Sequence, residues 1–471
     1  MVECNVEFRI LSDEQAGRIH AAALRVLAET GCEVQHPEGL RMLKSAGARV
    51  DGSRVKIGAE LVKQAIAAAP KAIVLGDRDG KFAMELRAGR VHFGTGSDCI
   101  FVLDGQTGQR RKAVLADIGR FARLAERLDQ IDFIMSMACP SDVPPSRLYR
   151  EQFAGMLLAG SKPIVFTVVD PGELEVILQM SAAAQGGLDA HRAAPHLLLY
   201  AEPISPLTHP ATSVAKLLFC AHNGVPVTYS PGSMAGGTTP VTGAGSVVQS
   251  VAEILSGLVL HQLACPGAPF VFGGAIGPMD MRTMLNVYCA PFGASWGAAL
   301  VEMGKRYGLP TWSTAGCSDS KLLDEQAAID SSLMTLSAAL SGANLVHDVG
   351  YLESGLTSSL EMLATSAEII NIVGRMVEGL DTSDEALAVE AIGRVGPGGN
   401  FLTDDHTLAN FRRELFRPDL MDYRSFAAWK DGGGTSLIDR AKVRVQELLD
   451  RPDPRPIADS RRWDVEAILR A

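Results

Sequence analysis

Short apolar runs recur along the middle of the chain: VHFGTG, DFIMSM, PIVFTVV, HLLLYAE, PVTYS, FVFGG, PTWSTA and NLVHDVG. Amphipathic segments of helix length lie between most of them, at 114–128, 146–160, 172–185, 210–223, 244–264, 292–307 and 322–340. Strand alternating with helix predicts a parallel sheet. Runs that are apolar throughout suit strands buried on both faces. Eight strand candidates predict an α/β fold of the (β/α)8 TIM-barrel type. The rival, a doubly wound sheet, needs an early GxGxxG turn, and GTGSDC does not match it.

The flanks have a different rhythm. Residues 13–30 have helical spacing, with Ser12 placed to cap the start and Gly31 just past the end. Shorter helices fit near 38–47 and 59–69, and KAIVLGD and KFAMEL read as strands. Beyond the barrel, 358–380, 404–416 and 436–450 look helical, GRVGPGGNFLTDDH reads as a loop, and RPDPRP interrupts the chain. The expected division is residues 1–88 as N-terminal helices and small strands packed on the barrel, 89–380 as barrel, and 381–471 as a helical extension. No repeat of solenoid period is present.

Composition narrows the partners. The 471 residues are 47% hydrophobic and 21% charged, which suits a large folded core. Net charge is −10, and no Lys/Arg cluster alternates with aromatics, so nucleic acid is not an expected partner. Eight cysteines, Cys4 among them, are scattered without a CxxC pair, which argues against a disulfide framework and structural zinc. MVECNVEFRILSDEQ lacks the apolar centre of a signal peptide, and no run reaches about 18 consecutive apolar residues. A cytoplasmic protein without a membrane partner is expected.

In a barrel of this type the active site lies at the C-terminal ends of the strands. Those ends carry Ser97 and Asp98, Cys139, Asp170, Glu202, Tyr229 and Ser230, Gly273 and Gly274, Cys317 to Asp319, and His347 with Asp348. Glu202 is followed by Pro203, which holds it rigidly. The stretch GCSDSKLLDEQAAID concentrates polar groups where a strand gives way to a helix. Asp319 there reads either as a helix cap or as a substrate contact, while Asp324 and Glu325 complement the helix dipole. Gln326 and Asp330, four apart, share a face. His347 fits a site residue or a structural histidine equally. His347, Asp348, Glu202 and Asp319 could assemble an N/O metal site, but no HExxH or HxH spacing supports one, and no metal is expected. GxSxG and GxxxxGK[ST] are absent, and GSMAGGTTPVTGAGS reads as a loop, as a lid or rim if functional.

Taken together and in order, FGTGSDCIFVLDGQTGQRR, GTTPVTGAGSVVQSVAEILSGLVLHQLACPGAPFVFG, GCSDSKLLDEQAAID, SGANLVHDVGYLESGLTSSLEML and TDDHTLANFRRELFRPDLMDYRSFAAWKDGG resemble the trimethylamine methyltransferase family. The likeness is to its non-pyrrolysine branch, the branch of glycine betaine:corrinoid methyltransferase. It implies a barrel that moves a methyl group from a methylated amine to Co(I) of a separate corrinoid protein. No cofactor would be tightly bound, the cobalamin arriving on the partner. Trimethylamine enzymes of the family carry pyrrolysine; every residue here is an ordinary one, which points to a quaternary amine such as a betaine. Holding such a cation calls for carboxylates and aromatic faces. The candidates are Asp98, Glu202 and Asp319 with Tyr229, Trp312 and Tyr351, then Trp296 and Phe292, and Gln326 and His347 beside them. For a substrate carboxylate, Arg110, Arg111, Arg282 and Lys321 lie in or near loops. Two other classes stay open at this stage: a metal-assisted barrel lyase or hydrolase using Glu202, His347 and Asp319, and a methylated-amine-binding protein without turnover. A homo-oligomer suits a large barrel with helical extensions at both ends.

Overall fold

Seven of the apolar runs form parallel strands in the computed structural model, which describes residues 1–3, 6 and 8–470. They are β1 (Arg90–Thr95), β2 (Ile164–Phe166), β3 (Leu197–Ala201), β4 (Val227–Tyr229), β5 (Phe270–Gly273), β6 (Thr311–Thr314) and β7 (Leu345–Val349). The sheet order is β1-β7-β6-β5-β4-β3-β2, with Val2–Glu3 added antiparallel outside β1. The chain is therefore an α/β fold. The eighth run, DFIMSM, is not a ladder strand. It makes two single parallel bridges, Gly94 to Phe133 and Ile134 to Ile164, which reach from β1 to β2. Backbone bonds from Asp132 N–H to Phe93 O at 2.6 Å and from Met137 N–H to Gly96 O at 2.9 Å also join it to the β1 segment, and side chains add others. Asp132 Oδ2 accepts from Phe93 N–H at 3.0 Å, and Thr95 Oγ1 accepts from Met135 N–H at 2.7 Å.

Each of these segments is followed by a helix: α1 (Leu115–Glu126), α2 (Leu148–Ala159), α3 (Glu173–Gln185), α4 (Ala211–Asn223), α5 (Gly243–Ala264), α6 (Pro291–Arg306), α7 (Glu325–Ser341) and α8 (Leu360–Val377). Left-handed Gly186, Gly224 and Gly342 end α3, α4 and α7, as expected where the chain must turn out of a helix. The helices cover the outer face of the sheet and form the larger core with it. Among the described residues α5 alone is long and apolar enough to cross a membrane, a property the sequence reading did not anticipate. Of its most apolar window, 72% is buried inside the protein, as in a core helix.

A second core lies on the inner face. Val165, Leu198, Val271, Trp312 and Leu345 from the strands meet Ile73, Leu75, Met84 and Leu86. Those four belong to an antiparallel hairpin, Ile73–Gly76 with Phe82–Leu86, which packs into this inner core. Ahead of the hairpin, Asp13–Arg25 starts with the expected Ser12 cap, reinforced by Gln15 in a capping box. Cys32–Val34, Arg49–Asp51, Arg54–Lys56 and Thr208–His209 make a small sheet that the sequence pattern did not reveal. All described cysteines are free, and Cys4 lies outside the described residues.

The C-terminal region is helical, with short helices at Asp384–Leu387, Val389–Val395, Phe426–Asp431 and Asp459–Arg470 beyond those expected. Val389–Val395 falls partly in the segment read as a loop. Leu437–Asp450 packs on α8 and α1, and Asp459–Arg470 on α3 and α2. Between them Arg455 donates to Asp77 Oδ2 at 2.7 Å and pairs with Asp79. Buried Arg78 donates to the carbonyls of Leu157 and Gly160 at 3.3 and 2.8 Å. Arg455→Ala is expected to loosen the last helix, because it removes two ion pairs at one point of attachment. Limited proteolysis should cut the variant near residues 451–458 at a protease dose that leaves the parent intact.

Candidate active site

Alternate residues of a strand share a face, so Tyr200 and the position two beyond it, Glu202, point the same way. Tyr200 Oη donates to Glu202 Oε1 at 2.6 Å. At the end of β7 that rule is broken. His347 and Asp348 are successive residues, yet both line one cavity. The pairing register slips between Val346 and Val349, and Asp348 adopts a left-handed backbone with φ 76°. Asp348 Oδ2 accepts from Tyr288 Oη and from Thr314 Oγ1, each at 2.5 Å, and His347 Nδ1 lies 2.8 Å from Asp348 Oδ1. Asp98, just past β1, is also left-handed, with φ 60°. Its carboxylate accepts from Thr167 Oγ1 at 2.6 Å, Gln152 Nε2 at 2.9 Å and Ser136 Oγ at 3.2 Å.

These groups surround two chambers. The outer one holds about 500 Å3 and is walled by Asp98, Tyr149, Lys216, His347, Asp348 and Tyr351, with exposed Val169 and Ile204 at its rim. The inner one holds about 170 Å3 and lies between the segments after β4 and β5 and the helices α6 and α7. Tyr200, Glu202 and Tyr288 belong to both. Aromatic rings support the junction from below. Trp312 lies 4.5 Å from His347 and 5.5 Å from Tyr200, centroid to centroid, and Phe133 lies 6.0 Å from Trp312.

The electrostatics follow from depth. Burial pushes the Asp98 carboxyl up from its ordinary value, against its three hydrogen bonds. Burial of its carboxyl also raises Glu202, a residue that is otherwise exposed; the Tyr200 hydroxyl and the charges of Lys216 and His347 oppose that rise. Lys216 Nζ donates to Val168 O at 3.0 Å, and burial lowers its ammonium. Tyr149 is pushed up to about 12 by burial. Among the described residues Lys216 is the only Lys or Arg lining either chamber. Three carboxyl groups and one ammonium thus line the outer chamber.

The sequence candidates separate into groups. Asp98, Glu202, His347 and Tyr351 line the outer chamber, and Tyr351 Oη donates to the Ser97 carbonyl. Trp312 sits one layer deeper, in the aromatic floor. Tyr229 points away from the chambers: its hydroxyl bonds His209 Nδ1 at 2.8 Å and its ring packs against Gly257, leaving no room for a Cβ there. Asp319 neither lines a chamber nor caps the helix. It accepts from Tyr288 N–H at 3.1 Å, Cys289 N–H at 2.9 Å and Ser354 Oγ at 2.6 Å, and so fixes the loop that carries Tyr288. The cap of α7 is Asp324, which accepts from Ala327 N–H at 3.0 Å. Gln326 donates to Asp330 at 3.3 Å, and Asp330 also accepts from Ser318 Oγ at 2.7 Å. The polar cluster is thus largely a brace behind the site. Phe292 and Trp296 contact each other outside both chambers.

Of the basic candidates, Arg110 is paired with Glu353 at 2.7 Å, Arg111 is bidentate on Asp117 and Lys321 is bonded to the Asp319 carbonyl at 2.8 Å. Arg282 lies outside both chambers. The four-residue N/O set does not assemble, because Asp319 stands apart. A different group, Cys289, Asp319 and Asp330, has ligand atoms within 4.8 Å of one another, but both carboxylates already accept from N–H or hydroxyl groups.

Tyr200, Tyr288, Asn286 and Lys216 were missed. Tyr200 carried a signal, standing two positions before Glu202 on a strand. Lys216 carried one too: it interrupts the buried apolar face of α4 made by Val214, Leu217, Leu218 and Ala221. Tyr288 and Asn286 sit in an irregular loop and carried none.

The family profile described as Trimethylamine methyltransferase (MTTB) matches residues 1–469. A trimethylamine methyltransferase MttB of Desulfitobacterium hafniense (strain DCB-2) is 32% identical over 454 residues, covering 95% of this chain and 90% of its own length. A glycine betaine methyltransferase of Desulfitobacterium hafniense (strain Y51) is 29% identical over 448 residues, covering 94% and 92%. Among solved structures, the monomethylamine methyltransferase MtmB of Methanosarcina barkeri shares the fold, with a TM-score of 0.50 over 95% of this chain and 90% of that one at 12% identity.

Proposed function

Because this chain belongs to the trimethylamine methyltransferase family, we propose that the methylated amine it demethylates is a quaternary ammonium compound, glycine betaine among the candidates, held at Glu202. The chain is a methyltransferase, and the acceptor is a corrinoid protein. The observation that supports a quaternary donor is the acidic, aromatic-floored junction of the two chambers. A permanent cation there gains from the Glu202 carboxylate and from the faces of Tyr200 and Tyr288. The absence of any residue outside the ordinary twenty supports the same reading. We read the Phe133 and Ile134 bridges as the eighth staves of a barrel spanning 89–380, with 1–88 and 381–471 packed on it. The free thiols suit a cytoplasmic setting.

Attack on a quaternary methyl breaks one C–N bond, and the bonding pair stays on nitrogen. The product is a neutral tertiary amine, so no protein group needs to deliver a proton. Co(I) of the partner's corrinoid supplies the electron pair that forms the new bond to carbon. The work left to this chain is to hold the cation and point one methyl at the open outer chamber. Tyr200 fixes the Glu202 carboxylate, and Tyr288, anchored on Asp348 and by Asp319, closes the opposite side. The 500 Å3 outer chamber leaves room for the face of a corrin ring.

A proton NMR time course with Ti(III)-reduced cobalamin tests this. Glycine betaine, choline, tetramethylammonium and trimethylamine would be supplied in turn. Loss of one N-methyl signal from a quaternary donor is the expected result; turnover of trimethylamine alone would overturn the quaternary reading. Lys216 gives a second handle. Its charge favours the ionised form of Glu202, so Lys216→Met should raise the Glu202 pKa further. Donor binding, which needs the carboxylate charged, should then lose its acid limb at a higher pH than in the parent, as read by calorimetry across pH.

A further inference from the structure

We propose that the inner chamber is a subsite for the non-reacting tail of the donor, and that it selects a compact, uncharged tail. This rests on the reading of the chain as a quaternary-amine methyltransferase and narrows it.

Three observations carry the inference. First, the two chambers share Tyr200, Glu202 and Tyr288, so a cation held by Glu202 has its reacting methyl toward the wider chamber and its remaining substituent toward the narrower one. Second, the inner chamber holds about 170 Å3, on the scale of an engineered cavity of about 150 Å3 that accepts benzene. A tail of a few heavy atoms fits, and a longer one does not. Third, its lining is neutral apart from Glu202 at the entrance. Among the described residues no Lys, Arg or His faces it, and a carboxylate placed there would lie beside a like charge with no cation to pair it. Lys216, the only cation nearby, lines the outer chamber and not this one.

Gly297 offers a test that does not threaten the fold. It lies on α6 at the chamber wall, and a Cβ built there meets no atom within 4 Å. Gly297→Val therefore projects into the chamber. Dissociation constants would be measured by calorimetry on the variant and the parent, with tetramethylammonium, choline and glycine betaine as probes. Far-UV circular dichroism would confirm that the variant is folded. Turnover with reduced cobalamin would be followed alongside. The parent should bind choline more tightly than glycine betaine. Gly297→Val should weaken choline by about 10-fold or more and leave tetramethylammonium, which has no tail, within about 3-fold. Equal losses for both probes, unchanged choline affinity in Gly297→Val, or tighter binding of glycine betaine than of choline would each overturn the tail subsite. Turnover of tetramethylammonium in that event would leave the methyltransferase reading standing. Failure of every quaternary donor to bind or react would remove both.

Discussion

Glu202→Gln should weaken binding of a quaternary ammonium donor by about 30- to 150-fold, or roughly 2–3 kcal/mol. The substitution keeps the shape of the side chain and an acceptor for the Tyr200 hydroxyl, and removes only the charge. At an effective dielectric near 20, two unit charges about 4 Å apart interact by about 4 kcal/mol, and the aromatic floor retains part of the attraction in the variant. Titration calorimetry with tetramethylammonium measures the loss directly, without a corrinoid. The pH dependence provides an internal control. Burial raises the Glu202 carboxyl in the free protein, so parent affinity should rise as pH climbs through that raised pKa and then level off. The Gln variant should lack that limb. Unchanged affinity in the variant would mean that Glu202 does not face the donor's charge.

Asp319→Ala should be the most damaging change outside the chambers. The carboxylate takes two backbone N–H groups and the Ser354 hydroxyl, and none of the three has another partner in view of the loop geometry. Leaving two N–H groups unsatisfied in a partly buried loop costs about 3–4 kcal/mol. The loop carries Tyr288, so its loosening also frees the hydroxyl that anchors on Asp348. The expected result is a lower urea midpoint together with weaker donor binding. Asp319→Asn, which keeps one acceptor oxygen, should recover part of both. A variant that binds normally while unfolding early would separate the two roles.

The two effects bear on what could be read from the chain alone. The apolar runs located all eight segments of the sheet region, because strands buried on both faces are apolar at every position and their helices are periodic. What those patterns could not carry was the mixing of Asp132 and Thr95 side-chain bonds with the backbone bonds along DFIMSM, which forms two bridges and no ladder. Side-chain direction was legible only where a strand stays regular. Glu202 obeyed the alternation, and Tyr200 could have been found from it. His347 and Asp348 face one cavity through a slipped register and a left-handed residue, which no local propensity announces. Tyr229 shows the converse. It stands at a strand end, but that end points it outward, onto Gly257. Asp319 was misplaced for another reason. Six residues separate it from the start of α7, too far to cap, and its partners come from chain segments about thirty residues away in either direction.

The shared wall of the two chambers has a pharmacological consequence. On the proposed placement of the donor, a single molecule with a cation at Glu202, a small neutral branch in the inner chamber and a flat substituent in the outer one would occupy the places of donor and acceptor together. Joining the halves makes the second contact intramolecular, and such tethering commonly raises affinity by about 10²- to 10⁴-fold over either half alone. Bivalent inhibitors of this enzyme can therefore be built outward from one ammonium centre.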